Sequence, residues 1–353
     1  TNAFENITNG PVKFANIVTE INTLFSEHEL RILTEDVTAD LKYVYKVPLY
    51  IPKLLKPLGQ ILRWFIYYRH IKKVGKTYDF DVLVFINSFN GTWAGLVAQK
   101  PTVGMINDEK NMLATRKNFK LNSLWIKRFL FQQFERLSVN RHRFVIANSE
   151  FLKYRLINTY HLPENRVKRL YKCIPLDGIS FDPHRSFTSI IKVLFVKADY
   201  LVGNLPMLIQ ALKNIPEYRF QLTVVGPEYQ FESHLRSLFA KADNVLPDYV
   251  GPQPQQKVFE YLRTYDIFCV PSYTEAFGIA NIEALAHGIS VISTRVGGIP
   301  EVLDGGNNGW LVESGNDGQL SVAIRDCIQN TSLRLQKAQN GVNFIQKFSN
   351  DEM

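Results

Sequence analysis

The 353-residue sequence has few cysteines and no long apolar run. Cys173, Cys269 and Cys327 form no CxxC pair for zinc and are too few for a disulfide framework, which predicts an intracellular chain. No stretch of about 20 apolar residues that could span a bilayer is present. The first residues lack a charged segment followed by an apolar one, so no secretory leader is expected.

The composition excludes disorder and fibrous repeats. The chain is 46% hydrophobic, 12% aromatic and 21% charged, which is a normal globular mix. Its length exceeds one ordinary domain of about 100–200 residues, so two domains are expected. Both ends are expected to be trimmed, because the chain opens on a polar loop and stops soon after a helix.

Positive charge is concentrated in the first half. The whole chain has 41 basic and 33 acidic residues, a net charge of +8. Residues 1–178 contain 27 basic and 15 acidic residues, which gives +12, whereas the rest contains 14 and 18, which gives −4. Such an excess predicts an anionic partner for the first half: nucleic acid, a membrane surface or a phosphorylated substrate.

Apolar strands alternate with amphipathic helices in the second half. Strands are expected at 191–198, 220–226, 244–251, 266–272, 290–295 and 309–313. Helices are expected between these strands, and two more follow the last strand near 317–330 and 332–348. This alternation indicates a parallel sheet covered by helices, so residues 191–353 are predicted to form a Rossmann-like domain.

The first half has the same pattern over residues 1–178. Strands are expected at 29–34, 81–87, 102–107, 143–149 and 167–174, and helices near 11–26, 53–73, 122–138 and 150–158. Pro, Gly, Ser and Asp without helical periodicity predict a linker at 179–190.

Residues 271–303 carry the most informative pattern. A strand leads through a Ser/Thr loop into a helix near Gly278, and a second strand leads through Gly297 and Gly298 into another helix. Helix starts at the carboxyl ends of parallel strands suit a phosphate. Glu275 lies in the first loop and Glu283 about a turn and a half inside the helix, so both carboxylates are expected to reach one ligand.

The segment PS-x-x-E-A-F-G-x-x-x-x-E-A-x-A-x-G-x-x-V-I resembles the E-x7-E signature of retaining glycosyltransferases of family four. Other similar elements are Asn9-Gly10-Pro11, residues 146–156, residues 224–228 with Gly226, and residues 249–262. The resemblance implies the GT-B fold, two Rossmann-like domains facing a central cleft. It also implies a nucleotide-diphosphate sugar as donor, with a UDP-sugar as the first candidate, and no metal or further cofactor.

The resemblance also assigns residues. It places Glu275 near the donor sugar hydroxyls, Glu283 on the ribose and Gly251 at the base. Phe277, Gly278 and Ile279 would lie under the phosphates and sugar, Gly226 would line the donor site, and Gly10 would approach the diphosphate.

The chain departs from the family where cations are usual. Ala198 and Gly203-Asn204 stand where the family has an Arg and a Lys-Gly that serve the diphosphate. Lys197 is one residue away and is expected to supply a positive charge, so Lys197 and Glu275 are the two candidate catalytic residues. Asn107 and Asp108 replace a usual His and are candidates for acceptor contact.

The expected reaction is retaining transfer of a sugar to a glycan or lipid-linked acceptor in polysaccharide or glycolipid synthesis. In a front-face mechanism the leaving diphosphate takes the acceptor proton, and Glu275 orients the donor. Two alternatives stay open: a GT-B sugar-nucleotide epimerase, and a degenerate sugar-nucleotide-binding protein, which the missing cations favour.

Two stretches, 51–73 and 110–143, mix basic residues with aromatics. Such a mixture is typical of a membrane interface rich in anionic lipid, although ordinary helices with one buried face give the same pattern. No nucleic-acid motif is present, so no nucleic acid is expected as partner. The chain is predicted to be cytoplasmic, at the inner face of a membrane.

Overall fold

The fold is taken from a computed structural model of the chain. It describes residues 27, 29, 31–34, 44–47, 59–97, 99–113, 123–174, 179–240 and 242–348. The helix expected at 11–26 and the donor-site candidate Gly10 lie outside these residues. The chain forms two compact units, Thr1–Lys172 (unit 1) and Cys173–Met353 (unit 2).

Unit 1 contains two parallel sheets. Strands β1 (Ile32–Thr34) and β2 (Val44–Lys46) pair with each other. Strands β3 (Leu83–Phe85), β4 (Thr102–Ile106), β5 (Phe144–Ala147) and β6 (Val167–Arg169) form a sheet in sequence order. Its helices are α1 (Gly59–Val74), α2 (Thr92–Val97), α3 (Ser123–Arg141) and α4 (Glu150–Tyr160).

Helix α4 shows how the sequence sets the packing of unit 1. The Ser149 side chain caps its start by accepting a hydrogen bond from the Leu152 amide at 3.0 Å. Leu152, Leu156 and Tyr160 follow at intervals of four, and they are buried against β4, β5 and β6. This spacing places one face of the helix on the sheet.

The described part of unit 2 contains a six-stranded parallel sheet. Its strands are β7 (Ile190–Val196), β8 (Arg219–Val225), β9 (Val245–Gly251), β10 (Ile267–Val270), β11 (Ser290–Thr294) and β12 (Trp310–Val312), in the spatial order β12-β11-β10-β7-β8-β9. All residues of β10 and β11 are buried, as expected for central strands with helices on both faces.

The helices of unit 2 connect these parallel strands or follow the last of them. They are α5 (Leu205–Lys213), α6 (Glu232–Leu238), α7 (Gln255–Thr264), α8 (Ile279–Ala286), α9 (Ile299–Val302), α10 (Asp317–Gln329) and α11 (Thr331–Phe344). The order reverses between β7 and β10, which lie side by side in the middle of the sheet. Ligands of doubly wound sheets bind at such a reversal, at the carboxyl ends of the strands.

The expected two-domain α/β fold class is confirmed, and several local expectations need correction. The strand expected at 167–174 ends at Arg169 in the structure. One helix was expected at 332–348, but the α-helix ends at Phe344 and a 3₁₀ turn follows over Ile345–Phe348. Strand β2 and helix α2 were not predicted.

Candidate functional site

Three strand ends of unit 2 meet beside the reversal in strand order. Strand β7 pairs in parallel with both β8 and β10, so all three carboxyl ends lie at one edge. Lys197 follows β7, Gly226 follows β8, and the loop with Glu275 follows β10. The sheet therefore brings together residues that the sequence separates by up to 78 positions.

Gly226 allows the first two strand ends to lie in contact. Its φ is +117°, and a Cβ atom there would lie 2.7 Å from the Lys197 carbonyl carbon. Its amide donates to the Gly251 carbonyl oxygen at 2.9 Å. Only glycine combines this backbone conformation with so close an approach.

Lys197 and Glu275 form an ion pair at this edge. The Lys197 Nζ lies 2.5 Å from the Glu275 Oε2, and the side chains are 25% and 23% exposed. Such a charge-assisted hydrogen bond is about twice as strong as a neutral one. The structure thus joins the two side chains predicted to be catalytic, and both remain open to a ligand.

The backbone of Glu275 is held by the turn that follows β11. A Cβ atom at Gly297, whose φ is +56°, would lie 1.5 Å from the Glu275 carbonyl oxygen. The Gly298 amide donates to the same oxygen at 3.3 Å. Thr294, the last residue of β11, donates from its hydroxyl to the Ser272 carbonyl oxygen at 2.7 Å. The Glu275 loop is therefore bonded at two points, to β11 and to the turn that follows it.

Helix α8 begins directly behind this loop. Gly278 is its N-cap with φ +98°, and Ile279 is its first residue. Phe277 is 1% exposed and its ring packs edge-on against Phe348, which anchors the helix start. The first turn presents free amides and the positive end of the helix dipole at the edge where Glu275 lies.

Asn281 is a polar residue of this helix start that the sequence reasoning missed. It is 4% exposed, and its side-chain oxygen has no hydrogen-bond partner within the part of the chain that the structure describes. A Cβ atom at Gly278 would lie 2.8 Å from its side-chain nitrogen. No sequence signal distinguishes Asn281 from an ordinary helical residue.

Glu283 is the second carboxylate of the pattern and is 5% exposed. Its Oε1 accepts a hydrogen bond from the Gln255 Nε2 at 2.9 Å. One turn further along α8, the His287 Nδ1 lies 2.8 Å from the Glu283 carbonyl oxygen, and burial lowers the pKa of His287. His287 therefore serves as the neutral C-cap of α8.

The turn predicted to hold the base contains Gly251, with φ +65°. A Cβ atom there would lie 2.6 Å from the ring of Tyr229, which is 61% exposed and whose hydroxyl donates to the Val250 carbonyl oxygen at 3.2 Å. The Gln253 side chain donates to the same oxygen at 2.6 Å. Tyr229 is thus an exposed aromatic ring at this turn that the sequence reasoning did not single out.

Asn107 and Asp108, the acceptor candidates, follow β4 in unit 1. The Asn107 side chain donates to the Ile86 carbonyl oxygen at 2.6 Å, which links the ends of β3 and β4. Asp108 is exposed, and its Oδ1 accepts from the Lys110 amide at 3.0 Å. Asp108 can thus meet a ligand, and the Asn107 side-chain oxygen has no hydrogen-bond partner among the described residues.

A buried carboxylate lies close to this loop and was also missed. Burial raises the pKa of Glu135 to about 7, although Tyr160 and Asn111 donate hydrogen bonds to its two oxygens at 2.5 and 2.9 Å. These bonds connect α3, α4 and the loop after β4. The sequence signal that could have revealed Glu135 is a single charged residue on the apolar face of α3.

The described residues contain no group of three or more His, Cys, Asp or Glu side chains that could hold a metal ion. None of the described helices combines the length and apolar composition that crossing a bilayer requires. The three cysteines are buried thiols, and burial raises the pKa of Cys173 to about 11.

Comparisons with known proteins agree with this geometry. Residues 22–177 match the family Glycosyltransferase Family 4, and residues 180–344 match Glycosyl transferases group 1. An uncharacterized glycosyltransferase of Methanocaldococcus jannaschii is 33% identical over 156 residues, which are 44% of this chain and 43% of that protein. The matched region thus spans less than half of this curated relative.

Two solved structures share the fold over nearly the whole chain. The sucrose-phosphate synthase of Thermosynechococcus elongatus matches with a TM-score of 0.74 at 18% identity, over 96% of this chain and 90% of that one. The Anabaena protein HepE, in complex with UDP-glucose, matches with a TM-score of 0.70 at 18% identity, over 96% and 92%. Together with the two family matches, they identify the chain as a member of the family-four glycosyltransferases with the GT-B fold.

Proposed function

We propose that the protein is a retaining glycosyltransferase that moves a sugar from a nucleotide-diphosphate donor to a glycan or lipid-linked acceptor. The observation that carries the proposal is the Lys197–Glu275 pair beside the start of α8. A cation and helix amides suit the diphosphate, and a carboxylate suits sugar hydroxyls. A UDP-sugar is the first donor to test, because the structural neighbour HepE was solved with UDP-glucose.

The chemistry needs no enzymic nucleophile. The bond from the anomeric carbon to the diphosphate breaks, and the acceptor oxygen bonds to that carbon on the same face. The acceptor proton passes to the leaving diphosphate oxygen. Glu275 holds the sugar, while Lys197 and the amides of α8 stabilise the charge that develops on the leaving group, usually the largest catalytic contribution. No metal ion is invoked.

The missing family cations are compensated by Lys197 in this proposal. Gly203 stands where the family has a Lys, and a Cβ atom there would lie 3.0 Å from the Lys197 Cγ. A Cβ atom at position 203 would also lie 2.6 Å from the Phe195 ring, so the absence of a side chain leaves room for this ring and for the aliphatic part of Lys197. Lys197 would exchange Glu275 for the diphosphate when the donor binds.

The test begins with a thermal-shift screen against UDP-, GDP-, ADP- and dTDP-sugars, because only a fitting donor stabilises the fold appreciably. With the selected donor, Glu275→Gln should lower transfer at least about 100-fold and leave the melting temperature near that of the wild type. Lys197→Met should weaken nucleoside diphosphate binding as well as turnover. Arg325→Met, on α10 and paired with Glu217, is the matched control.

The products separate the alternatives. The anomeric configuration of the product, read by NMR, should match that of the donor. Isomerised donor without any acceptor would identify an epimerase. Nucleotide binding without transfer or hydrolysis would identify a binding protein, and full activity of Glu275→Gln would refute the assigned role.

We also propose that unit 1 binds an anionic membrane surface at the cytoplasmic face. Helices α1 and α3 each contain four basic residues, and their one carboxylate, Glu135, is buried. Six large apolar side chains on these two helices are 38–51% exposed: Ile61, Phe65, Ile126, Phe129, Leu130 and Leu137. Cationic helices with exposed apolar groups fit an anionic bilayer interface.

Part of the aromatic content expected at this surface is instead core. Trp64 is 7% exposed and packs edge-on against Phe89 and Phe134. Phe131 stacks on Phe89 at 5.2 Å between ring centroids. The proposed membrane contact therefore rests on the exposed side chains of α1 and α3. The four rings are buried or half-buried and pack against one another.

Vesicle co-sedimentation tests the membrane proposal. Binding should require anionic lipid, fall with salt, and drop roughly 25-fold in the variant Arg128→Gln/Arg136→Gln, at about 1 kcal/mol per cation. Arg236→Gln/Lys257→Gln makes the same charge change on exposed residues of unit 2 and should bind normally. Equal binding to neutral and anionic vesicles would contradict the proposal.

A further inference from the structure

Helices α7 and α8 of unit 2 meet through two matched pairs of side chains. The Gln255 Nε2 donates to the Glu283 Oε1 at 2.9 Å. Four residues further along each helix, the ring of Phe259 lies 4.9 Å from that of His287, measured between centroids. Residues four apart share one face of a helix, so the polar pair and the ring pair belong to one interface.

The polar pair lies at the end of this interface where α7 begins. Gln255 is the first residue of α7 and follows the turn that starts at Gly251. Glu283 is 5% exposed and lies in the second turn of α8. A single side chain thus connects the turn proposed for the base with the carboxylate proposed for the ribose.

A buried carboxylate can only accept hydrogen bonds, so its orientation is set by the donors around it. Gln255 supplies a neutral donor, which fixes one oxygen and adds no positive charge that would compete with a ligand hydroxyl. The packing of Phe259 on His287, one helical turn further along, is a separate apolar contact between the same two helices. The donor is therefore placed by secondary structure, as site geometry demands.

We infer that Gln255 is a positioning residue that orients Glu283 toward the ribose hydroxyls and so makes the site discriminate ribonucleotides from 2′-deoxyribonucleotides. The inference rests on the proposed function, in which Glu283 binds the ribose. With Gln255 in place, the carboxylate presents a fixed acceptor to the 2′-hydroxyl. Without it, the carboxylate turns toward other partners, and the energetic advantage of that hydroxyl is reduced.

The test compares the binding of UDP, GDP and ADP with that of their 2′-deoxy counterparts by titration calorimetry. The ribonucleotide that binds the wild type most tightly, together with its 2′-deoxy counterpart, is then used for all variants. The wild type should prefer the ribonucleotide at least about tenfold, the value of a hydrogen bond to a charged group. Gln255→Met keeps the side-chain length and removes the donor, and it should reduce this preference at least about fivefold.

Two further variants separate positioning from general damage. Phe259→Leu disturbs the same helix interface without touching the donor, so it should lower the melting temperature and keep the ribose preference. Glu283→Gln should abolish the preference. A structural role for Gln255 would weaken both members of the nucleotide pair equally and leave their ratio unchanged.

The outcomes distinguish failure of the role inferred for Gln255 from failure of the proposed donor site. If no nucleotide binds the wild type, or if Glu283→Gln keeps the preference, the proposed donor site is wrong and the inference falls with it. If Glu283→Gln loses the preference but Gln255→Met keeps it, the inference alone is overturned. Loss of the preference in both variants, with Phe259→Leu unaffected, supports it.

Discussion

Gly297 lies where any side chain would collide with the loop that carries Glu275. A Cβ atom there would lie 1.5 Å from the Glu275 carbonyl oxygen, and contacts under 3.0 Å are essentially never seen, so Gly297→Ala must move the two backbones apart by about 1.5 Å. A misplacement of about 1 Å near reacting groups costs about 100-fold in rate. We therefore expect the specificity constant kcat/KM to fall about 100-fold or more.

The same change also has a purely conformational cost. Gly297 has φ +56°, and an alanine in this region costs about 1–2 kcal/mol. Gly305 has φ +65°, and a Cβ atom there meets nothing within 4 Å. Gly305→Ala therefore introduces the backbone strain without the collision and is a matched control for stability.

The assay measures release of the nucleoside diphosphate from the selected donor, alongside the free energy of unfolding from urea titration. Gly305→Ala should lose about 1–2 kcal/mol of stability and keep its activity. Gly297→Ala should lose both. If the two variants lost activity to the same small extent, the reasoning that Gly297 positions Glu275 would be refuted.

Two further predictions concern unit 1. The raised pKa of Glu135 means that the folded protein binds this proton more tightly than the unfolded chain does. The free energy of unfolding therefore falls as the pH rises from 4.5 to about 7. Glu135→Gln should remove roughly 3 kcal/mol of this pH dependence. The pKa of His142 is lowered to about 4, so its contribution to stability changes with pH in the opposite direction. This contribution is present in the wild type and in Glu135→Gln alike, so the difference between their pH profiles isolates Glu135. An unchanged pH profile would contradict the burial of a titrating Glu135. Separately, Ser149→Ala should lower the free energy of unfolding by about 1 kcal/mol through loss of the α4 cap, whereas Ser237→Ala, which affects only an exposed helix, should not.

The larger elements were predictable because their signals are local. The apolar runs of β7, β8 and β10 and the amphipathic helices between them are visible as periodicity, which reports burial directly. Helix α2 has only six residues and β2 only three, too short for a period to appear. Elements of this length form because neighbouring elements hold them, so their signal is absent from the local sequence.

The predicted site residues Lys197 and Glu275 follow two strands, and the sequence indicated both loops. It did not indicate that the two side chains would meet, because pairing across a sheet depends on strand order and register. Tyr229 and Gln255 were missed for the same reason. Each gains its place in the site from a partner distant in sequence, Gly251 for Tyr229 and Glu283 for Gln255.

The alternating α/β architecture, the E-x7-E pattern and the separation of charge between the two halves follow from the sequence alone. These properties depend on residue types at short spacing or on composition, which folding does not alter. Tertiary structure decided which groups face each other: Lys197 on Glu275, Gln255 on Glu283, and Gly297 against the Glu275 backbone. The reason is that parallel strands gather their carboxyl ends at one edge, where side-chain contacts follow from strand order and packing rather than from distance along the chain.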